Sequence, residues 1–352
     1  MKSIFAALLL IGSTGPSSNN KVASGRAMKL FAADQGETRA VLVMQDGKQL
    51  FHHLAPGYTD ETRFISWSMA KSVTAVLIGE LVADGKLSLD APVPFAEWRQ
   101  QGDPRGQITL RHMLHMSSGL DHTEGLDPAE GDKGILGSDT TQTLFVAGTQ
   151  AMAARGLAKG MEAKPGAQYE YSSITSLLLA ELITRQLTGS KDPKVRAAAY
   201  TAFTTERLFK PAGITNAVME FDGAGTQIGG SIIHMTLDDW GRFGSLLLEG
   251  RGADGSQVIT PDWLTFLKTP SNTDPGYGGH FWLNRPRSKE NAANPALFPG
   301  KGSDSAFAAV GHLGQYVIVS PEQRLVVVRL GKTNDDQLGP VRKALGEVVA
   351  GY

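Results

Sequence analysis

Cysteine is absent from the 352 residues of this chain, which excludes disulfides, thiolate nucleophiles and cysteine-based zinc sites. Net charge is nearly absent as well. The chain has 34 Lys and Arg against 35 Asp and Glu, so bulk electrostatics favour no nucleic-acid partner. No stretch after residue 20 is long and apolar enough for a transmembrane helix. The apolar fraction of 41% and the charged fraction of 20% are typical of a globular protein with a sizeable core.

The N-terminus has the pattern of a short secretory signal. Lys2 precedes an apolar run over residues 4–11, too short to span a bilayer, and small residues follow over 12–18. We therefore predict that residues 1–20 are a signal peptide or a disordered tail, and that the protein is periplasmic or secreted. Because no clean cleavage motif is present, a cytoplasmic protein with an apolar tail is the alternative.

Turn and periodicity signals predict strands at both ends of the chain. Residues 39–56 form two β-prone runs around Asp46-Gly47, a strong signal for a hairpin. Residues 305–331 predict two further strands joined at 320–323, followed by a last helix over 335–349.

Helical patterns fill most of the chain between these strands, with caps of the expected kinds such as Thr109, Thr236 and Gly85. The predicted helices are residues 68–85, a short one after Thr109, 141–155, an amphipathic one at 174–188, and 235–250. We predict an α+β fold: an antiparallel sheet built from both chain ends, flanked by helices, with a mainly helical inserted region.

The predicted domain organisation is a single domain over residues 21–352. Its α/β part comprises about 36–85 and 216–352, and its helical region about 86–215. The glycine-rich stretches are too short to be linkers between domains and are interpreted as loops.

Ser68 and Lys71 lie one helical turn apart at the start of an apolar helix, so their side chains can meet. A serine hydroxyl is a weak nucleophile until a base takes its proton, and a lysine kept neutral by burial can be that base. The free N–H groups at the helix start can hold an oxyanion. An N-cap serine followed by a solvated lysine is the alternative.

Two further segments carry candidate residues. Tyr171 follows a turn and precedes a helix; near a lysine its hydroxyl could be a phenolate or pass a proton, but a packing tyrosine is the alternative. In "GHLGQ", residues 311–315, two glycines around His312 interrupt a strand, which is typical of a close approach to the backbone. The Gln315 N–H is then a candidate oxyanion donor, and a simple bulge is the alternative.

The order and spacing of "SMAK" at 68–71, "YSS" at 171–173 and "HLG" at 312–314 resemble the serine β-lactamase and penicillin-binding superfamily. The branch is the class C β-lactamase-like one, with family VIII esterases and 6-aminohexanoate-dimer hydrolases. The resemblance covers residues 36–350 and includes "LRHMLHMSSGLDHTE" and "YGGHFWLN".

The resemblance implies an acyl-enzyme mechanism without a metal or an organic cofactor. Ser68 attacks a carbonyl carbon, Lys71 and Tyr171 act as general base and acid, and water hydrolyses the acyl-enzyme. The backbone N–H groups of Ser68 and Gln315 hold the oxyanion. The residues expected to line the cleft and contact the substrate or the Lys71–Tyr171 pair are Ser173, His312, Leu313 and Gly314.

Two departures from the family pattern bear on the substrate. Ser173 stands in place of an asparagine, and His312 stands in place of the lysine that helps a β-lactamase hold the substrate carboxylate. Both favour a small ester or short linear amide as substrate. A β-lactamase or D-Ala-D-Ala carboxypeptidase is the second hypothesis, and a binding or sensor protein that is acylated without turnover is the third.

Several other residues are given structural interpretations. Asp121, His122 and Glu124 follow a helix end, and solvated loop charges are favoured over a place at the cleft. Trp67 and Trp282 are interpreted as packing residues. His112 and His115 lack an acidic third ligand and an H-E-x-x-H motif, so no metal site is predicted. The sequence leaves the oligomeric state open.

Overall fold

The computed structural model describes residues 18–125, 137–293 and 295–352. Its main feature is a six-stranded antiparallel sheet in the order β2-β1-β9-β8-β7-β6. These strands are β1 (Glu37–Gln45), β2 (Lys48–Leu54), β6 (Trp282–Leu283), β7 (Phe307–Gly311), β8 (Gln315–Ser320) and β9 (Leu325–Lys332). β1 pairs with β2 on one side and with β9 on the other, so both chain ends build one sheet, and the predicted α+β fold class is confirmed.

The predicted N-terminal hairpin is present. Asp46 and Gly47 have φ angles of 49° and 72°, the left-handed values of the two-residue turn that Asp-Gly favours. Successive side chains of β1 point to opposite faces of the sheet, and both faces are buried here. Ala40 and Leu42 join the core beneath the central helices, while Val41 and Val43 join the core on the opposite face.

The C-terminal part of the sheet differs from the prediction of two strands. Residues 305–331 form three strands, because residues 312–314 of "GHLGQ" are a turn between β7 and β8 and not a bulge within one strand. Leu313 and Gly314 have φ angles of 60° and 78°, which reverse the chain. This turn lies at the end of β7, next to the edge of the sheet.

The helices cover both faces of the sheet and fill the inserted region. They are α1 (Ser18–Lys29), α2 (Met69–Ala83), α3 (Leu110–Leu114), α4 (Asp139–Phe145), α5 (Met152–Leu157), α6 (Ser173–Leu187), α7 (Pro193–Thr204), α8 (Lys210–Ala212), α9 (Leu237–Glu249), α10 (Pro261–Leu267) and α11 (Leu338–Val349). A second, three-stranded sheet in the order β3-β5-β4 contains β3 (Phe64–Ile65), β4 (Val218–Met219) and β5 (Ile233–Met235).

Helices α2 and α6 form the centre of the molecule. Residues 69–81 of α2 and 173–184 of α6 are buried on every face, which corrects the prediction of an amphipathic helix at 174–188. A helix buried all round is packed inside the protein and does not lie at its surface. The polar side chains at the starts of these helices are therefore enclosed as well.

The N-terminal prediction falls mostly outside the described part of the chain. Residues 1–17 are not described, so the signal peptide and the export that it implies stay predictions. Within the described ranges, no helix has both the length and the apolar character needed to cross a membrane.

Candidate active site

Ser68 lies at the start of α2, where the chain is held by the residue two positions before it. The Ser66 hydroxyl donates to Ser231 O at 3.2 Å and accepts from the Ile233 N–H at 2.9 Å. Trp67, between the two serines, has a φ of 44°, an unfavourable value for a non-glycine residue that is typical of functional sites. The Ser68 side chain makes no capping bond and is free for another role.

Lys71 is 1% exposed and lies one turn after Ser68. Its Nζ donates to Ser68 Oγ at 3.1 Å, to Ser173 Oγ at 2.8 Å and to Gly230 O at 2.7 Å, so all three ammonium hydrogens have an acceptor. Burial lowers the pKa of Lys71 to about 8, and the negative charge of Glu124 opposes part of this shift. A pKa near 8 leaves a usable fraction of neutral amine at physiological pH.

Tyr171 lies between Lys71 and an aromatic wall. The Lys71 ammonium is 4.9 Å from the ring centroid of Tyr171, and Trp282 stacks on the same ring at 5.5 Å between centroids. Burial raises the pKa of Tyr171 far above its usual value, the charge of Glu124 adds to this, and a hydrogen bond with Ser68 opposes it. The phenol is therefore neutral at pH 7, and a resting phenolate is disfavoured.

Glu124 and His122 belong to the site, and their interpretation as solvated loop charges is wrong. The Glu124 carboxylate accepts hydrogen bonds from the N–H and the hydroxyl of Ser173, each at 2.6 Å. His122 is buried, with Nε2 2.9 Å from Tyr171 O. The only local signal in the sequence was their place just after a helix end, because their partners lie 49 residues further along the chain. Asp121 is exposed, as its interpretation required.

Ser173 is the first residue of α6 and is 2% exposed. The sequence allowed contacts either with the substrate or with the Lys71–Tyr171 pair. The structure places its hydroxyl between Lys71 Nζ and Glu124 Oε1. The Ser173 hydroxyl therefore has both of its hydrogen-bond partners inside the site.

The β7–β8 turn approaches Ser68 from the sheet. A Cβ built on Gly311 would lie 2.2 Å from Ser66 O, so only glycine allows the strand to come this close. His312 is exposed, and its ring meets the edge of Trp67 at 5.5 Å between centroids. The interpretation of Trp67 and Trp282 as core residues is corrected: both are only partly buried, and both border the site.

Gly314 and Gln315 are directed into the sheet and not towards Ser68. Gln315 pairs with Gly311, which lies between it and the start of α2, and its side chain bonds to Gly331 on β9. The Gly314 carbonyl accepts from Arg329 Nη1 at 2.7 Å inside the protein. The predictions of Gln315 as oxyanion donor and of Gly314 as substrate contact are therefore wrong. Leu313 is partly buried, and its role stays a prediction.

His112 in α3 and His115 directly after it have structural contacts. The Thr109 side chain caps the helix by accepting from the His112 N–H, and His112 Nδ1 accepts from the Thr109 N–H at 3.2 Å. His115 stacks on Phe266 at 5.0 Å between centroids. Within residues 18–125, 137–293 and 295–352, no group of three His, Asp or Glu side chains is placed to hold a metal ion.

A serine and a buried lysine at a helix start, on an α+β fold of this topology, are the arrangement of serine hydrolases with the S-x-x-K motif. Comparison with known proteins agrees with it. The Beta-lactamase family model matches residues 29–350. The chain belongs to the Beta-lactamase family, and the predicted resemblance and the assignment to its hydrolases are confirmed.

Three known proteins show what this chain is similar to. The 6-aminohexanoate-dimer hydrolase of Paenarthrobacter ureafaciens is 21% identical over 313 residues, covering 85% of this chain and 73% of that protein. The structure of EstCE1, a hydrolase with promiscuous acyltransferase activity, superposes with a TM-score of 0.69 at 18% identity, covering 95% and 98% of the two chains. A D-stereospecific amidohydrolase from Streptomyces sp. has a TM-score of 0.62 at 16% identity, covering 91% and 98%. At these identities the structures establish the fold.

Proposed function

We propose that this protein hydrolyses carboxylic esters or short linear amides through an acyl-enzyme on Ser68. The observation that carries the proposal is the 3.1 Å contact between Ser68 Oγ and the buried Nζ of Lys71, at the start of a helix. A buried amine with a lowered pKa is the base that a serine hydroxyl requires, and the helix start favours negative charge on the oxygen.

In the first step, neutral Lys71 takes the proton of Ser68 as Oγ attacks the substrate carbonyl carbon. The negative charge moves to the carbonyl oxygen, which needs preorganised N–H donors. When the tetrahedral intermediate collapses, the bond to the leaving group breaks, and that group takes a proton from Tyr171 or from the Lys71 ammonium. Water then attacks the acyl carbon, and the group that protonated the leaving group takes the proton of this water. The ester bond to Ser68 breaks, and Ser68 Oγ takes a proton back from the Lys71–Tyr171 pair.

The oxyanion donors in this proposal are the N–H groups of Ser68 and His312. Gly311, the last residue of β7, approaches Ser66 O at the start of α2, and His312 is the next residue, exposed at the beginning of the turn. Within the described ranges, neither the Ser68 nor the His312 N–H donates to a protein acceptor. These donors replace the pair predicted from the sequence.

Two residues of the cleft support esters or short linear amides over β-lactams as substrates in this proposal. The Ser173 hydroxyl is held by Lys71 and Glu124, so it does not offer a lactam side chain what an asparagine amide would. His312 stands where a β-lactamase carries lysine, which weakens recognition of a substrate carboxylate. The names of the hydrolase from Paenarthrobacter ureafaciens and of EstCE1 support the same choice.

A parallel assay with three substrates tests this proposal. We expect turnover of p-nitrophenyl butyrate or of the 6-aminohexanoate dimer that exceeds turnover of nitrocefin by at least about tenfold in kcat/KM. Faster hydrolysis of nitrocefin would establish the β-lactamase hypothesis instead. A stable stoichiometric acyl adduct in intact-protein mass spectra, without turnover of any of the three, would support the acylated sensor.

Tyr171→Phe tests the role of the phenol. We expect kcat to fall by roughly two or more decades, because the variant keeps the ring but loses the hydroxyl that exchanges a proton with Ser68 or the leaving group. Tyr58→Phe, an exposed hydroxyl that contacts Glu37, is a matched control for loss of a tyrosine oxygen. Wild-type kcat for Tyr171→Phe would remove this residue from the mechanism.

A further inference from the structure

The Glu124 carboxylate contacts Ser173, which is a hydrogen-bond partner of the candidate base Lys71. Its Oε1 accepts from the Ser173 hydroxyl at 2.6 Å, and its Oε2 accepts from the Ser173 N–H at 2.6 Å and from Thr140 Oγ1 at 2.8 Å. The Ser173 N–H lies at the start of α6, where the helix dipole favours a carboxylate. Glu124 is thereby fixed through both of its oxygens.

The direction of the Ser173 hydrogen follows from this contact. An ionised carboxylate only accepts hydrogen bonds, so the single hydroxyl hydrogen of Ser173 is used on Glu124. Ser173 Oγ can then offer Lys71 Nζ, 2.8 Å away, only a lone pair. The Gly230 carbonyl, at 2.7 Å from the same nitrogen, is an acceptor as well.

These two acceptors decide the orientation of the neutral amine. A neutral lysine has two N–H groups and one lone pair, and both N–H groups are taken by Ser173 Oγ and Gly230 O. Of the three hydrogen-bond partners of Nζ, only the Ser68 hydroxyl can still donate. The lone pair of Lys71 therefore faces the proton that it has to take.

We propose that Glu124 is a positioning residue of this site: by holding the Ser173 hydroxyl as an acceptor, it directs the lone pair of Lys71 at Ser68 and places a negative charge behind the amine. This inference rests on the proposed function of Ser68 and Lys71. It explains why a carboxylate lies close to a lysine that must lose a proton.

Two other titratable groups close to Lys71 are neutral at pH 7, so the negative charge beside this amine comes from Glu124. Tyr171 is neutral, for the reason given above. Burial, and then the charge of Lys71, lower the pKa of His280 to about 3, so its imidazole is neutral too. Burial lowers the pKa of Lys71, and Glu124 is the charge that raises it. Removing that charge is therefore expected to make Lys71 lose its proton at a lower pH.

The test is the pH dependence of Ser68 phosphonylation by a fluorophosphonate, which needs no knowledge of the substrate. In the wild type we expect the rate to rise with pH up to about 8, where Lys71 becomes neutral. In Glu124→Gln we expect a plateau rate roughly 10- to 100-fold lower, because the lone pair is no longer directed, and an acid limb about one pH unit lower. Thr140→Val keeps the charge and both contacts with Ser173, and is expected to leave the limb in place.

Ser173→Ala keeps the inference testable if Glu124→Gln fails to fold. It removes the hydroxyl that directs Lys71, so we expect kcat at least about tenfold lower with little change in KM. A wild-type plateau and limb in folded Glu124→Gln, or a wild-type kcat in Ser173→Ala, would overturn the inference. If the wild type is not phosphonylated at Ser68, the proposed function fails, and this outcome is distinct from either result.

Discussion

Ser68→Ala is expected to abolish hydrolysis, with a loss in kcat/KM on the order of ten thousandfold or more. Of the three oxygens that the described residues place within hydrogen-bond distance of Lys71 Nζ, the substitution removes the one that can still donate a proton to it. The Ser68 side chain makes no capping bond, so its loss is expected to leave the folded state intact. Turnover of p-nitrophenyl butyrate and the thermal midpoint, measured on the same preparation, check both parts.

Ser72→Ala is the matched control on the same helix. The Ser72 hydroxyl donates to His280 O at 2.7 Å inside the core, so its removal is expected to cost about 1 kcal/mol of stability and to leave turnover within a few-fold of wild type. A fluorophosphonate should label Ser68 in the wild type and in Ser72→Ala. Turnover near wild type in Ser68→Ala, with the label on another serine, would contradict the assignment of the nucleophile.

Lys71→Met is the second large effect that we expect. Methionine has a similar length but no basic nitrogen, so Ser68 loses the group that takes its proton. We expect kcat to fall by at least about a thousandfold at every pH between 6 and 10, with the acid limb lost. Lys210→Met, at an exposed ion pair with Glu206, is the control for loss of a lysine charge. Retention of a limb near pH 8 in Lys71→Met would show that another group is the base.

Lys71→Met is also expected to change the stability of the folded protein. The pKa of Lys71 is about 8 in the folded protein and 10.5 for a free side chain, so below pH 8 its buried charge disfavours folding by about 3 kcal/mol. Methionine removes this cost but leaves the Gly230 carbonyl without its donor, which offsets part of the gain. We expect the thermal midpoint of Lys71→Met at pH 7 to be equal to or above that of the wild type.

The sign of the pH dependence follows from the lowered pKa. Between pH 8 and 10.5 the unfolded chain binds a proton at Lys71 that the folded chain has lost, so this group makes the wild type more stable as pH rises. The difference in unfolding free energy between wild type and Lys71→Met should shift in favour of the wild type between pH 7 and 10. Urea unfolding at both values measures it, and a constant difference would contradict the lowered pKa.

The predictions from sequence that succeeded rest on short-range physics. The Asp46-Gly47 turn, the caps at Thr109 and Thr236, and the pairing of Ser68 with Lys71 across one helical turn depend only on residues within a few positions. The α+β class followed from the order of such elements along the chain, and the family resemblance from the order of three motifs.

The predictions that failed depend on how distant segments meet. Gln315 and His312 are three residues apart, yet strand order and register place Gln315 inside the sheet and leave His312 exposed in the turn. No local pattern could tell that Gln315 lies inside the sheet, because the turn at 312–314 decides where β7 ends. Trp282 was interpreted as a packing residue, because its stacking on Tyr171 depends on the position of β6 in the sheet.

The sequence by itself therefore determined the fold class, the nucleophile candidate and its lysine, since each is encoded by neighbouring residues. Only the tertiary structure decided what surrounds that pair. Glu124 and Ser173 are 49 residues apart and meet because the start of α6 is packed against the loop after α3, and Lys71 of α2 is enclosed against α6. Burial and the direction of hydrogen bonds are properties of that packing, and they decide how Lys71 holds and releases its proton.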